Sequence, residues 1–180
     1  MSVVATEVLF LHPGELYAGR RPLILKTILG SCVAVTFWHM GNGMTAMCHF
    51  VLPRRPHTSE PAMPRDCDGR YGDDALQFLG MAARASDANP CRFKIGVFGG
   101  ASISQGRVRA QRIGSSNIEL ALQALDALGY TVDVLDVAGH GSRVLQLDSR
   151  DGSVLIKYHS LVDEDSGRIV RGGEAWASRS

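Results

Sequence analysis

Long apolar runs are missing from this 180-residue chain: no stretch approaches the roughly 18 consecutive apolar residues that a membrane-spanning helix requires. The opening Met1-Ser2-Val3-Val4-Ala5 also lacks the basic and apolar regions of a signal peptide, so a cytoplasmic location is expected. An excess of charge of either sign is missing too. Lys and Arg number 19 against 18 for Asp and Glu, a formal net charge of +1, and no global field draws in nucleic acid or an anionic membrane. Neither nucleic-acid binding nor membrane insertion is expected. Four cysteines, Cys32, Cys48, Cys67 and Cys91, show no CxxC spacing, and a reducing compartment argues against a disulfide framework. A zinc site drawn from Cys32, Cys48, His49 and Cys67 conflicts with strand alternation, which sends Cys48 and His49 to opposite faces. The Gly99-Gly100 pair sits in neither a GxGxxG nor a GxxxxGK[ST] context, so no nucleotide site is read there; those glycines suit a close backbone approach to a neighbouring turn.

What is present is enough apolar sequence, 45% hydrophobic against 21% charged, for one compact domain with a substantial core. That domain is expected to span residues 1–160, with residues 161–180 short of apolar side chains and expected to fray. Strand-like runs are predicted at Glu7–Leu11, Leu23–Leu29, Val33–Trp38, Met44–Val51, Phe93–Phe98, Tyr130–Val137, Val144–Leu147 and Val154–Tyr158. A helix is predicted over Asp73–Ala85, with acidic residues at its favourable end. A second starts at the capping-box sequence Ser116-Asn117-Ile118-Glu119 and runs to Gly129, with Asn117 taking a local capping role. Four prolines between Pro53 and Pro64 mark a surface loop. Irregular alternation and two hairpins exclude a doubly wound fold and leave mixed α and β, class α+β.

The chemistry concentrates at Thr27-Ile28-Leu29-Gly30-Ser31-Cys32-Val33-Ala34-Val35 and Cys48-His49-Phe50-Val51-Leu52-Pro53. A flexible Gly-Ser step between two apolar runs places Cys32 at a tight turn. Val33–Trp38 and Met44–Val51 flank a Gly41-Asn42-Gly43 turn and read as a hairpin, which brings Cys32 and His49 to the same end. A free thiol titrates near about 8.5 and needs a base to act as a nucleophile at neutral pH. His49 is the nearest supplier. Taken alone, Cys32 reads as a small buried hydrophobe, and the turn and the histidine across the hairpin are what raise the catalytic reading. Backbone amides around Gly30 and Ser31 are candidates for an oxyanion pocket. His12, His57, His140 and Cys67 fit exposed or loop positions, and His140 could complete a site from the far side.

TILGSCVAV, HFVLP, KIGVFGGASI and IGSSNIELALQAL, in that order from about Thr6 to His159, resemble the CheD family of chemoreceptor glutamine deamidases. The resemblance implies a Cys-His-Thr hydrolase with Cys32 as nucleophile and His49 as its partner. The family's threonine lies just upstream of the LGSC turn, where this chain has Thr27. It also implies a layered α/β/β/α arrangement, two packed mixed β-sheets flanked by helices, similar to the catalytic domain of cytotoxic necrotizing factor toxins. The implied substrates are glutamines, and by the same acyl chemistry glutamyl methyl esters, on the cytoplasmic helices of methyl-accepting chemotaxis receptors. No metal or organic cofactor is called for, and a monomer is expected. A CheC-type phosphatase is the implied second partner. The rival reading is a non-catalytic regulatory module that modulates that phosphatase; a small-molecule amidase or cysteine peptidase would use the same residues.

Overall fold

A computed structural model describes residues 6–56, 66–102, 108–159 and 166–170. Ten strands and two long helices follow one another as β1 (Glu7–Phe10), β2 (Leu16–Gly19), β3 (Leu23–Leu29), β4 (Val33–His39), β5 (Thr45–Phe50), α1 (Gly72–Ser86), β6 (Phe93–Gly99), α2 (Val108–Ala127), β7 (Val134–Val137), β8 (Ser142–Asp148), β9 (Val154–His159) and β10 (Ser166–Val170). They form two five-stranded sheets, β1-β3-β8-β9-β10 and β2-β5-β4-β6-β7. Each sheet is mixed. The β1–β3 and β6–β7 pairs are parallel and the other pairs antiparallel. The class is α+β. Among the described residues no helix is long and apolar enough to cross a membrane.

Alternation along the strands builds two cores. Leu23, Leu25, Leu29, Leu145, Leu147, Val154 and Ile156 of the first sheet meet Ala34, Met47, Phe98 and Val134 of the second in an inter-sheet layer. The opposite face of the second sheet, with Val33, Val35, Phe37, Cys48 and Phe50, packs on Leu76 and Leu79 of α1 and on Ala121 and Leu125 of α2. Cys48 and His49 therefore do face opposite ways. Both described helices lie on the second sheet, so the layers are α/β/β among the described residues rather than the implied α/β/β/α. The reason is legible on the outer face of the first sheet, over which no helix lies among the described residues. Lys26, Gln146 and Lys157 sit there among Ile24 and Ile28, a mixture that water tolerates.

Several expected boundaries move. The second helix begins at Val108 rather than at Ser116, so Ser116 and Asn117 lie in its middle and Asn117 is no cap. Gly114 hid this, since an interior glycine costs a helix roughly 1 kcal/mol. Here it is required: a Cβ on Gly114 would stand 2.6 Å from the Gly100 carbonyl oxygen. Tyr130 belongs not to β7 but to the helix-side core, in edge contact with Phe37 at 4.9 Å. Within the stretch 161–180, where no strand is predicted, Ser166–Val170 pairs antiparallel with β9 from Ser166↔Tyr158 to Val170↔Val154; the remainder of that stretch lies outside the described residues.

The β4–β5 hairpin forms with Val33 opposite Phe50, Ala34 opposite His49 and Trp38 opposite Thr45. Its turn is fixed by a histidine that sequence patterning passes over. His39, 2% exposed, accepts at Nδ1 from the Gly41 and Asn42 amides at 3.0 and 2.9 Å. Its Nε2 donates to Asp87 Oδ2 at 2.9 Å. That anchoring sets the register, and a slip of one residue would turn His49 to the other face.

Candidate active site

β3 belongs to the first sheet and β4 to the second, so the Gly30-Ser31-Cys32 turn is the corner at which the chain changes sheets. Two further crossovers, His12–Glu15 between β1 and β2 and Ala138–Gly141 between β7 and β8, turn at the same rim of the sandwich. The Cys32 turn is held by its carbonyls. Gly30 O accepts from the Ala101 amide at 2.7 Å and Cys32 O from the Gly100 amide at 2.8 Å. Such closeness needs Gly99, whose φ is +105° and on which a Cβ would sit 2.2 Å from Cys32 O. The Gly99-Gly100 pair thus serves the close approach expected of it. The Ala138–Gly141 crossover backs this pair, with Ala138 N donating to Gly99 O at 2.8 Å and Ser102 N to Gly139 O at 2.9 Å. His140 bridges to Ser102 in that crossover and is exposed.

His49 lies on β5 with its side chain in the inter-sheet layer, on the same face as its neighbour Ala34. Cys32, two residues before Ala34, packs against that same layer, so thiol and imidazole share a face. Thr27 reaches the imidazole from the opposite sheet. Its Oγ1 is 2.8 Å from His49 Nδ1 and 2.7 Å from the Leu11 carbonyl oxygen. These two contacts decide the tautomer. A carbonyl oxygen brings no proton, so the hydroxyl donates to Leu11 O and accepts from Nδ1–H. Nε2 is then left with a lone pair, and it is buried with no hydrogen-bond partner among the described residues. No hydrogen bond joins it to Cys32. A buried base without a protein partner in an apolar layer is costly for a structural histidine and apt for a catalytic one.

Burial sets the protonation states. It pushes the Cys32 thiol above its ordinary value, opposed by the residue's own backbone amide. It lowers His49, assisted by the positive character of nearby His12 and opposed by the Leu11 carbonyl and Glu15. Both shifts favour the uncharged forms, a neutral thiol and a neutral imidazole. Cys48, wholly enclosed on the helix side, is pushed up to about 12 and is chemically inert. Cys67 lies away from the turn, its Sγ 3.6 Å from the Asp74 carbonyl; His57 lies outside the described residues. His12 is exposed on the first crossover, whose Gly14 and Glu15 hydrogen-bond the backbone of His49 at 2.7 and 3.1 Å.

A family model described as CheD chemotactic sensory transduction matches residues 51–158. A Pseudomonas syringae pv. tomato protein named "Probable chemoreceptor glutamine deamidase CheD" is 35% identical over 154 residues, 84% of this chain and 89% of that one. The chain belongs to the CheD family. Members of the same name from Pseudomonas fluorescens, 33% identical over 91% of this chain and 92% of theirs, and from Maridesulfovibrio salexigens, 34% identical over 82% and 89%, extend the likeness. The CheD model match begins at Val51 and so does not reach Thr27, Cys32 or His49. A solved structure, the Bacillus licheniformis hypothetical protein YfiH, superposes with a TM-score of 0.36 at 13% identity over 70% of this chain and 49% of that one, too loosely to argue from.

Proposed function

We propose that this chain deamidates glutamine side chains of methyl-accepting chemotaxis receptors, with Cys32 as nucleophile, His49 as general base and acid, and Thr27 orienting the imidazole. The observation that carries the reading is the buried, unpartnered Nε2 of His49, left as the lone-pair nitrogen by Thr27 and lying on the face that Cys32 shares. Family membership supports the substrate class, since the relatives carry chemoreceptor glutamine deamidase in their names. The two packed mixed sheets are compatible with the central β/β layers of the necrotizing-factor catalytic domain, and the α/β/β order of the described residues departs from its outer layers.

Because thiol and imidazole are both neutral at rest, proton transfer accompanies attack. His49 Nε2 takes the Cys32 proton as sulfur bonds to the carboxamide carbon, and the carbonyl π electrons move onto oxygen. The imidazolium returns the proton to nitrogen as the C–N bond breaks, releasing ammonia and leaving a thioester. Water then gives a proton to Nε2 as its oxygen attacks; the C–S bond breaks, the proton passes to sulfur, and glutamate is formed. With the turn's carbonyls engaged by Gly100, Ala101 and Asn117, the amides of Ser31 and Cys32 are the polar groups suited to the oxyanion. Base assistance of this type contributes about 10² to 10⁴ in rate. A glutamyl methyl ester presents the same acyl half and would follow the same path with methanol leaving.

The test is mass spectrometry of a receptor cytoplasmic fragment incubated with wild type, Cys32→Ala or His49→Ala. A gain of about 1 Da at particular glutamines with wild type alone is expected. The same gain with Cys32→Ala would defeat the assignment, and no gain with any protein would favour a regulatory module acting on a CheC-type phosphatase.

A further inference from the structure

Asn117 is 0% exposed in the middle of α2, yet its polar end serves neither the helix nor a cap. Nδ2 donates to Ser31 O at 3.2 Å and to Val51 O at 2.9 Å. Two carbonyl acceptors fix the amide's orientation, because the flipped form would set Oδ1 against both oxygens. Ser31 immediately precedes Cys32, and Val51 stands two residues after His49. The β4–β5 ladder ends at Val33↔Phe50, so one side-chain amide spans the two strands just past their last backbone rung, at the end that holds the thiol and the imidazole. Oδ1 is buried without a partner among the described residues, a cost the site carries to place Nδ2 there.

α2 reaches this position through a contact between glycines. Gly114, one turn before Asn117, meets the Gly100 backbone so closely that a Cβ on it would lie 2.6 Å from Gly100 O. Gly100 is also the residue whose amide holds Cys32 O at 2.8 Å. The helix, the Gly99-Gly100 segment and the Cys32 turn are therefore a single stack of direct contacts.

We propose that Asn117 is a positioning residue: seated by the Gly100–Gly114 contact, it ties the Cys32 turn to the end of β5 and so fixes the thiol relative to the His49 imidazole. This rests on the Cys32–His49 reading. Asn117 touches no reacting atom and acts through the Ser31 and Val51 carbonyls. Without it those strand ends are free to splay, and a misplacement on the order of 1 Å at a reacting group costs about 10²-fold in rate.

Asn117→Ala, Asn117→Asp and Gly114→Ala test this, the last moving α2 without altering the amide. Each is assayed well below its unfolding midpoint for receptor-fragment deamidation, with kcat and KM separated, and for iodoacetamide alkylation of Cys32 against pH by peptide mapping. The expected result is a fall in kcat of about 10- to 10²-fold with KM little changed. The Cys32 alkylation profile should also move, while that of exposed Cys91 stays in place. A residue that merely held the helix would lower the unfolding temperature and leave the alkylation profile of the folded protein as in wild type; that result overturns the proposal. Should Asn117→Ala fail to fold, Asn117→Asp and Gly114→Ala are read by the same criteria. Deamidation surviving Cys32→Ala would remove the thiol mechanism, and the alkylation arm would still judge whether Asn117 positions the turn.

Discussion

Replacing Thr27 by valine keeps the shape of a fully buried side chain and deletes its hydroxyl. Two contacts go: the donation to Leu11 O at 2.7 Å and the acceptance from His49 Nδ1 at 2.8 Å. A buried donor or acceptor left without a partner costs about 1–3 kcal/mol, and here one of each is stranded. The full sum is not expected, because His49 Nδ1 already lies 3.4 Å from Leu11 O. A small rotation of the ring closes that gap and lets the stranded donor meet the stranded acceptor. The net loss should therefore be about 1–3 kcal/mol, a fall in unfolding temperature of roughly 2 to 12 °C for a domain of this size. The rotation also re-aims Nε2, so kcat should fall by about 10- to 10²-fold, while Thr27→Ser, which keeps the hydroxyl, should retain most of both. Thermal melts and receptor-fragment assays of the two variants measure these effects. Nitrogen NMR of the wild-type imidazole measures the premise. An Nε2–H tautomer in the resting protein, or a Thr27→Val protein as stable and active as wild type, would refute the reasoning.

The pH dependence has a definite sign. In the proposed mechanism His49 must be neutral to accept the thiol proton, and burial lowers its pKa from the ordinary 6.5, so the acid limb of kcat/KM should reach half-height below 6.5 and be flat through neutral pH; a midpoint above 6.5 would contradict it. The same shift links to stability. The unfolded chain takes up this proton before the folded one does, so stability is fully present above 6.5 and declines as pH falls from there toward the depressed value, which denaturant titrations can follow. Arg143 is bonded to Asp136 in the inter-sheet layer, their side chains 5% and 7% exposed, and Asp136 also accepts from the Tyr158 hydroxyl. Arg143→Ala should cost about 3–5 kcal/mol by stranding a buried carboxylate, whereas Arg143→Met with Asp136→Leu should be less destabilised than the single change; additive losses would show that the two are not coupled.

How much of this was legible in the sequence follows from which interactions are local. The β4–β5 hairpin could be read because Asn42 and Gly43 stand between two apolar runs, and their symmetric register puts Cys32 and His49 at one end. α1 was read nearly to its ends because its apolar spacing and acidic first turn agree. α2 was truncated because Gly114 looks like a break and Ser116-Asn117 like a start; only the long-range contact with Gly100 explains a glycine in mid-helix. β2 escaped notice as a four-residue edge strand with glycine at its end. Nothing in the sequence says that β3 and β4 lie in different sheets. Thr27 therefore came from family resemblance, and its approach to His49 from across the sandwich was beyond any argument from spacing.

That crossing determines what the site requires of the fold. Thr27 belongs to the first sheet and His49 to the second; Arg143 and Tyr158 belong to the first and Asp136 to the second. Polar ties thus join the sheets through β5 and through β7, on either side of the strand that follows Cys32, and Trp38 of that strand adds another by donating Nε1–H to Ser149 O just after β8 at 3.0 Å. Each is directional, whereas the leucine and valine contacts around them tolerate a slide of one sheet over the other. A dry layer of aliphatic side chains alone would hold the sheets together without fixing their offset. With hydrogen bonds on both flanks, an offset of a fraction of an ångström breaks a buried partner, so the ties select one alignment. The proposed Cys32–His49 geometry then does not depend on the Cys32 turn being rigid in isolation: the sheets are aligned by these side-chain bonds, and the turn is fastened to the aligned frame by Gly100, Ala101 and Asn117.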